Sequence, residues 1–340
     1  MDRMVYRVQV AETEQAFEVA PNETILAAAL RANVNLPHDC RLGGCGTCRI
    51  RLVEGSVTYA EFPLALTPDE ESGGYALACQ AMPAGDLVIS PGRRLTEMPS
   101  AARHHAVVTA VRPVSTLVTH LVLEIPEAAF LDYLPGQYMN VMLPDGSTRS
   151  FSMASIPQDN RVDFQIRQIE GGSFTQGMLQ RVRAGDTLAV DLPLGTFHLH
   201  AEDDRPLLMV ATGTGIAPIK AILESLMDNP GCPPVSLYWG GRTAADLFLL
   251  DEIRTWGRRL FEFNFVPVLS RADAAWDGRR GHVQHVVTAD FDDLSEHAIY
   301  LCGSPAMIVD AKLAFIARRA SMEHTYTEGF SHQRARPVPA

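Results

Sequence analysis

Four of the six cysteines lie within the first 80 residues, at a spacing suited to iron–sulfur chemistry. Cys40, Cys45 and Cys48 share one glycine-rich loop with the pattern C-x4-C-x2-C, and Cys79 follows after 30 intervening residues. A [2Fe–2S] cluster needs four thiolates around two irons, and this spacing supplies them. Glycine accepts positive φ, so the loop can wrap closely around the cluster. Zinc is the alternative, but zinc sites more often use two C-x2-C pairs.

A second group of residues suggests a flavin. Arg149-Ser150-Phe151-Ser152 resembles the R-x-Y-S flavin motif of the ferredoxin–NADP reductase superfamily, with Phe where Tyr is usual. In that motif a guanidinium suits a pyrophosphate, an aromatic ring stacks on the flavin, and a hydroxyl lies near the flavin nitrogen that accepts a hydride. The segment GGSFTQGM resembles the second flavin motif of the same superfamily, at a helix start suited to a pyrophosphate. Its candidate contacts are Gly172, Ser173 and Thr175.

Two segments in the last third of the chain have the context of a dinucleotide site. The turn GTGIAP follows a predicted strand and opens a helix, where N–H groups can cradle phosphates. The candidate contacts in this turn are Gly213, Thr214, Gly215 and Pro218. Ligands of open α/β sheets gather at the carboxyl ends of strands. The segment CGSPAM lies at such an end and resembles a signature of the same superfamily, with candidates Cys302, Gly303 and Met307.

The sequence also indicates which flavin and which nicotinamide cofactor bind, and which residues act beside them. We expect Cys302 to approach a nicotinamide, with a buried structural cysteine as the alternative. Glu328-Gly329-Phe330 resembles the acid-x-aromatic ending of these reductases, which implies that Phe330 covers and gates the flavin face, with a packing anchor as the alternative. Glu328 is a further candidate catalytic residue. The module order favours FAD over FMN. The segment GGRTAADLFLLDEI resembles NADH-using oxygenase reductases, which favours NADH over NADPH.

Three domains of different character are predicted to position these groups. Residues 1–92 predict a small α+β iron–sulfur domain, whose motifs HDCRLGGCGTC and YALACQ resemble plant-type [2Fe–2S] ferredoxins of the β-grasp type. A linker rich in Pro and Arg follows at 93–103. Alternating strands over 104–203 predict an antiparallel β-barrel for the flavin. Apolar strands separated by helices over 204–333 predict a doubly wound parallel α/β sheet, followed by a tail at 334–340.

Hydrophobic periodicity predicts the individual elements. In the first domain we expect a hairpin at 5–10 and 16–19, and a helix over 23–32 capped by Asn22. In the barrel we expect one helix, over 174–182. The barrel strands are predicted at 105–111, 117–125, 137–143, 148–154, 161–168 and 187–191.

Composition limits the choice of partner and compartment. The net charge of −11 argues against a nucleic-acid partner, which needs basic patches. Residues 1–92 hold 12 Asp and Glu against 6 Arg, a net of −6, which suits either a docking face for a basic partner or a merely solvated surface. The sequence contains neither a run apolar enough to span a membrane nor a signal-peptide pattern at its N-terminus, so a cytoplasmic protein is expected.

Together the motifs predict an electron-transfer chain. A hydride carries two electrons and a [2Fe–2S] centre accepts one, so a flavin must lie between NADH and the cluster. The resemblance spans about residues 4–333 and implies a reductase component of bacterial aromatic-ring-hydroxylating dioxygenases or multicomponent monooxygenases. The terminal oxygenase would then accept the electrons. The alternatives are a stand-alone NADH:acceptor or flavin reductase, the reductase partner of a deoxysugar dehydrase, and a non-catalytic redox sensor.

Overall fold

The computed structural model describes residues 5–34, 36–38, 41–44, 46–91 and 99–330, with the side chains of Ser173 and Gln176 excepted. Contacts divide the chain into two compact units. The first contains residues 1–98, 304–313 and 327–331, and the second contains the remainder.

The first unit is built on a five-stranded mixed sheet with strand order β2-β1-β7-β3-β5. Its first helix lies against a core of small and branched apolar side chains. A two-stranded ladder, β4 with β6, completes the domain. The elements are β1 (Tyr6–Val10), β2 (Ala16–Val19), α1 (Ile25–Arg31), β3 (Arg49–Glu54), β4 (Val57–Thr58), α2 (Pro68–Ser72), β5 (Tyr75–Leu77), β6 (Met82–Pro83) and β7 (Leu87–Ser90).

The predicted cap of α1 was wrong. Asn22 has a left-handed φ of 61° and lies before the helix. Thr24 is the N-cap residue, and its hydroxyl accepts from the Ala27 amide at 3.3 Å. Thr24 has the extended backbone that an N-cap requires, whereas the left-handed Asn22 forms the preceding turn.

The second unit begins with a six-stranded antiparallel sheet in the order β11-β10-β13-β8-β9-β12, as expected for the flavin barrel. Alternate side chains of these strands form one apolar core. The strands are β8 (Ala102–Pro113), β9 (Val118–Glu124), β10 (Tyr138–Met142), β11 (Thr148–Ser152), β12 (Arg161–Arg167) and β13 (Thr187–Leu194). The helix predicted over 174–182 is instead a single π-helical turn, Ser173–Met178, with glycines near both of its ends.

A second six-stranded sheet has the order β17-β16-β15-β14-β18-β19. The pairings of β14 with β15 and β18, and of β15 with β16, are parallel, which confirms the doubly wound sheet. The sheet and its helices comprise β14 (Leu207–Thr212), α3 (Ile216–Leu226), β15 (Val235–Gly241), α4 (Leu250–Ile253), β16 (Phe263–Leu269), β17 (Arg279–Arg280), α5 (Val283–Asp290), β18 (Ala298–Gly303), α6 (Pro305–Ile316) and β19 (Thr325–Gly329). Within the described ranges, no helix is long and apolar enough to cross a membrane.

Candidate cofactor-binding sites

Two of the four predicted cluster ligands lie together in the core of the first unit. Cys48 directly precedes β3, and its carbonyl accepts from the Ala78 amide at 2.9 Å. Cys79 follows Ala78, and the two cysteines are only 2% and 5% exposed. Adjacent strand ends therefore bring both thiols to one buried place. Cys40 and Cys45 lie outside the described residues, so their role as ligands stays a prediction.

Residues 41–44 and 46–48 of the cysteine loop are closely wrapped, as its glycines predict. Gly43 and Gly46 have left-handed φ values of 70° and 81°. A Cβ at Gly43 would lie 2.9 Å from Gln80 Cγ, and one at Gly46 would lie 3.1 Å from Thr327 Oγ1. Gly44 has no positive φ, so a left-handed backbone requires glycine at Gly43 and Gly46 but not at Gly44. A glycine-lined cradle beside buried thiols fits a [2Fe–2S] cluster.

A buried ion triad beside this loop was not predicted from the sequence. Glu70 Oε1 lies 2.9 Å from Arg49 Nη1 and 2.7 Å from Lys312 Nζ. The three side chains are 1 to 6% exposed. Burial alone would raise the pKa of Glu70, but Lys312 and Arg49 outweigh it and lower that pKa below its usual value. Glu70 therefore stays ionised in the core.

The predicted flavin motif occupies β11. Phe151 pairs with Met139 of β10, and its half-buried ring lies 4.9 Å from the ring of Phe174. Ser150 is exposed and donates to Asn140 Oδ1 at 2.7 Å. Ser152 is buried, at 7% exposure. Successive side chains of a strand point to opposite faces, so Ser150 and Ser152 share one face and Phe151 lies on the other.

Arg149 and Thr175 make local hydrogen bonds. The Arg149 guanidinium donates to the Thr148 carbonyl at 2.7 Å and to Ser147 Oγ at 3.2 Å. The Thr175 hydroxyl donates to the Ile169 carbonyl at 3.2 Å and accepts from the Ile169 amide at 3.1 Å. Thr175 thus stabilises the turn before the π-helix, and its flavin contact stays a prediction. A Cβ at Gly172 would lie 2.4 Å from the Thr175 hydroxyl, so this turn requires glycine. The side chain of Ser173 lies outside the described part of the chain.

The structure brings the two predicted nicotinamide segments together. Residues 213–215 form one turn of 3-10 helix between β14 and α3. A Cβ at Gly215 would lie 2.3 Å from the Cys302 carbonyl oxygen at the end of β18. Cys302 itself is fully buried. Gly303 has a φ of 156°, and Pro218 is buried in the first turn of α3. This close approach is the glycine-lined arrangement expected of a dinucleotide turn.

An acidic side chain beside this turn was also missed. Asp246 is 3% exposed and accepts from the amides of Arg242 and Thr243 at 3.0 and 2.9 Å. Arg167 Nη1, at the end of β12, lies 2.7 Å from Asp246 Oδ1 and 3.3 Å from a Cβ built on Gly213. Burial would raise the pKa of Asp246, but the Thr243 amide and Arg167 lower it below its usual value. The only sequence signal for Asp246 was the GGRTAAD segment.

The remaining candidates lie near the C-terminal end of the described chain. Glu328 is 4% exposed within β19, and Phe330 is half-buried directly after it. Met307 is 7% exposed in the first turn of α6. Their predicted roles at the flavin and the nicotinamide stay predictions.

His198 and His200 are buried, at 6% and 3% exposure. The two rings are stacked with centroids 4.3 Å apart, and His200 stacks on Tyr326 at 4.0 Å. Within the described ranges no cluster of three or more His, Cys, Asp or Glu side chains could hold a metal ion. Since Cys40 and Cys45 lie outside those ranges, this does not bear on the cluster.

Three family models match the chain in succession. Residues 8–84 match a 2Fe-2S iron-sulfur cluster binding domain, residues 105–199 an oxidoreductase FAD-binding domain, and residues 209–312 an oxidoreductase NAD-binding domain. The segments carrying the cysteines, the flavin motif and the dinucleotide turn each fall within the corresponding match.

Several characterised proteins are similar over nearly the full length. The reductase component 1 of terephthalate 1,2-dioxygenase from Comamonas sp. is 31% identical over 92% of this chain and 93% of its own. A CDP-6-deoxy-L-threo-D-glycero-4-hexulose-3-dehydrase reductase of Yersinia pseudotuberculosis is 30% identical over 90% of this chain and 93% of its own. The crystal structure of the Amycolatopsis cytochrome P450 reductase GcoB superposes with a TM-score of 0.71, 31% identity, and coverage of 96% of this chain and 98% of the other.

Proposed function

Since the chain belongs to the family of oxidoreductases that join a 2Fe-2S domain to FAD- and NAD-binding domains, we propose that it reduces an oxygenase component with electrons from NADH. The observation that carries the proposal is the succession of the three domains in one chain, each with its binding motif. When bound, the flavin accepts the two electrons of a hydride and releases them one at a time to the cluster. The proposed order of electron flow is therefore from NADH to the flavin and from the flavin to the cluster.

The cluster is assigned to Cys40, Cys45, Cys48 and Cys79. The burial of Cys48 and Cys79 and the left-handed glycines beside them support this assignment. Each cysteine thiol must lose its proton to bind iron as a thiolate. The close backbone of the loop suits donation of N–H groups to the sulfur atoms.

The flavin is assigned to β11 and the turn before the π-helix. Phe151 supplies a half-buried aromatic surface, and Ser152 a buried hydroxyl one residue further along the strand. Arg149 lies on the same strand with a guanidinium suited to a pyrophosphate. Gly172, Ser173 and Thr175 form the second contact segment, in which Thr175 acts by stabilising the turn. Ser150 completes the motif.

The nicotinamide dinucleotide is assigned to the turn at 213–215 and to the end of β18. The close approach of Gly215 to the Cys302 carbonyl supports a single site formed by both segments. Cys302 and Gly303 would then contact the nicotinamide end, and Pro218 and Met307 are proposed as further cofactor contacts. Phe330 is proposed to control access to the flavin, and Glu328 is proposed as a further catalytic residue.

The acceptor is proposed to be an oxygenase component. The net charge of −6 over residues 1–92 suits a partner whose docking face is basic. A deoxysugar dehydrase is the second candidate acceptor, because the Yersinia dehydrase reductase has comparable identity and coverage. We further infer a cytoplasmic location, where thiols stay reduced and NADH is available.

A cysteine substitution tests the order of electron flow. Cys79→Ser removes one proposed cluster ligand, so NADH-dependent reduction of ferricyanide through the flavin should persist while reduction of cytochrome c is lost. The matched control is Cys232→Ser, because Cys232 is also buried but belongs to none of the proposed sites, and its thiol donates to the Pro233 carbonyl at 3.3 Å. Cys232→Ser should retain iron and both activities. Loss of both activities in a folded, FAD-containing Cys79→Ser protein would overturn the proposed order.

The acceptor is tested by reconstitution. We expect electron delivery to a purified ring-hydroxylating oxygenase to exceed the rate with a dehydrase and to fall with added salt, because salt screens complementary charge. A faster, salt-sensitive rate with the dehydrase would select the second candidate. Equal, salt-independent rates with both proteins and with dyes would indicate a stand-alone reductase.

A further inference from the structure

The buried triad of Arg49, Glu70 and Lys312 connects distant parts of the sequence within the first unit. Lys312 lies on α6 and is separated from Glu70 by 242 positions. Its ammonium donates to Glu70 Oε2 at 2.8 Å and to the Ala65 carbonyl at 3.0 Å. Glu70 is held further by the Thr67 amide at 2.9 Å. A carboxylate with this many donors is fixed in position.

The triad lies against the cluster loop. Ala65, whose carbonyl accepts from Lys312, donates its amide to the Gly43 carbonyl at 2.9 Å. Ala65 also lies 3.7 Å from a Cβ built on Gly46. Arg49 directly follows Cys48, and its amide donates to the Gly46 carbonyl at 3.2 Å. Arg49 is therefore adjacent in sequence to the cluster loop, and Lys312 is connected to the loop through hydrogen bonds of Ala65.

The triad combines two positive charges with one negative charge. The side chains of Lys312 and Glu70 are each 1% exposed and that of Arg49 is 6% exposed, so solvent screens them poorly. Reduction of a [2Fe–2S] cluster adds one negative charge, and nearby net charge is one of the factors that set its potential. The charges of these three side chains sum to +1, and positive charge beside the cluster favours its reduced form.

We propose that Lys312 is a positioning residue that raises the reduction potential of the [2Fe–2S] cluster through this triad and holds the cluster loop at Ala65. The inference rests on the proposed function, because it requires the cluster at Cys40, Cys45, Cys48 and Cys79. Lys312 thereby eases electron entry into the cluster without contacting any cofactor.

The test is a redox titration of the intact FAD- and cluster-containing protein, monitored by the EPR signal of the reduced cluster. Lys312→Met lowers the charge sum from +1 to 0, and we expect the one-electron reduction equilibrium to shift about tenfold toward the oxidised form. That factor equals about 59 mV for a one-electron couple. Lys312→Arg keeps the charge and should keep the potential within about twofold of the original equilibrium.

The double variant Glu70→Gln/Lys312→Met separates charge from structure. It restores the sum to +1 through Arg49, so its potential should return to that of the original protein. A purely structural role of the triad would leave the double variant at least as perturbed as Lys312→Met, because two buried contacts are then lost. That result would overturn the proposal, as would an unchanged potential in Lys312→Met.

Arg31→Met is the control for net charge. Arg31 belongs to the same domain and also pairs with a glutamate, Glu23, but its side chain is 56% exposed. Its removal changes the total charge equally and should leave the cluster potential unchanged, because solvent and salt screen it. An equal shift in Arg31→Met and Lys312→Met would refute a local effect. Failure of the proposed function is distinguished by the absence of any cluster signal in the unaltered protein.

Discussion

The close approach of Gly215 to the end of β18 gives the sharpest structural prediction. A Cβ at this position would lie 2.3 Å from the Cys302 carbonyl oxygen, 2.8 Å from the Cys302 carbonyl carbon and 3.1 Å from the Gly303 amide nitrogen. All three are backbone atoms of the sheet and cannot turn away as a side chain can. Gly215→Ala therefore requires the turn and the strand to move apart by about 1 Å, since dense protein interiors do not absorb such overlaps.

The expected effects follow from that displacement. Overpacking of this kind costs about 1–3 kcal/mol, and each kcal/mol lowers the thermal midpoint of a domain of this size by about 2–4 °C. The turn is also the proposed phosphate cradle, so we expect the KM for NADH to rise by about tenfold, equivalent to about 1.4 kcal/mol of binding.

The assay compares Gly215→Ala with Gly257→Ala. At Gly257 the nearest atom to an added Cβ is Phe263 Cδ1, at an ordinary contact distance of 3.8 Å. Ferricyanide reduction at varied NADH concentration gives KM, and a thermal melt followed by flavin fluorescence gives the midpoint. Gly257→Ala should match the unaltered protein in KM. A Gly215→Ala protein with unchanged KM and midpoint would refute the proposed juxtaposition of the turn and β18.

Three further predictions follow from the sites and the elements. Phe330→Ser should change the KM for NADH or the preference for NADH over NADPH, as measured by steady-state kinetics. Unaltered kinetics with both NADH and NADPH would show that Phe330 is only a packing residue. The pKa of Asp246 is lower in the folded protein than in the unfolded chain, and its partner is Arg167. The ion pair therefore stabilises the folded protein at pH values above the unfolded pKa of about 3.9. This stabilisation is lost as the pH falls through the lower pKa of the folded protein. The thermal midpoints of the unaltered protein and Asp246→Asn should therefore differ at pH 7 and converge below about pH 4, and a constant difference would contradict this assignment. Thr24→Ala should destabilise α1 by about 1 kcal/mol, measured by hydrogen exchange of the Ala27 amide, and unchanged exchange would refute the cap.

Much of the architecture could be predicted from local sequence. The strand Ala16–Val19 was predicted at its observed bounds, and the strands predicted at 148–154, 161–168 and 187–191 begin at the observed first residues Thr148, Arg161 and Thr187, because their apolar pattern and flanking turn residues agree. The dinucleotide turn was predicted at 213–218 because a glycine-rich turn between an apolar strand and a helix has few structural alternatives.

The features that were missed depend on contacts between residues distant in sequence. Lys312 resembles any helical lysine until the fold places it beside Glu70. Asp246 likewise acquires its role from Arg167, 79 residues away. The cap at Thr24 and the π-helix at Ser173–Met178 were missed for a different reason, because several neighbouring residues have similar local propensities.

The central claim is that NADH, a flavin and a [2Fe–2S] cluster form one relay within this chain. The most direct measurement is the visible absorption and EPR spectrum of the anaerobic protein before and after addition of NADH. We expect flavin and iron–sulfur bands to bleach together, with the EPR signal of a reduced [2Fe–2S] cluster. Bleaching of the flavin without any cluster signal, with zinc found by metal analysis, would contradict the relay and leave a flavin reductase with a structural N-terminal domain.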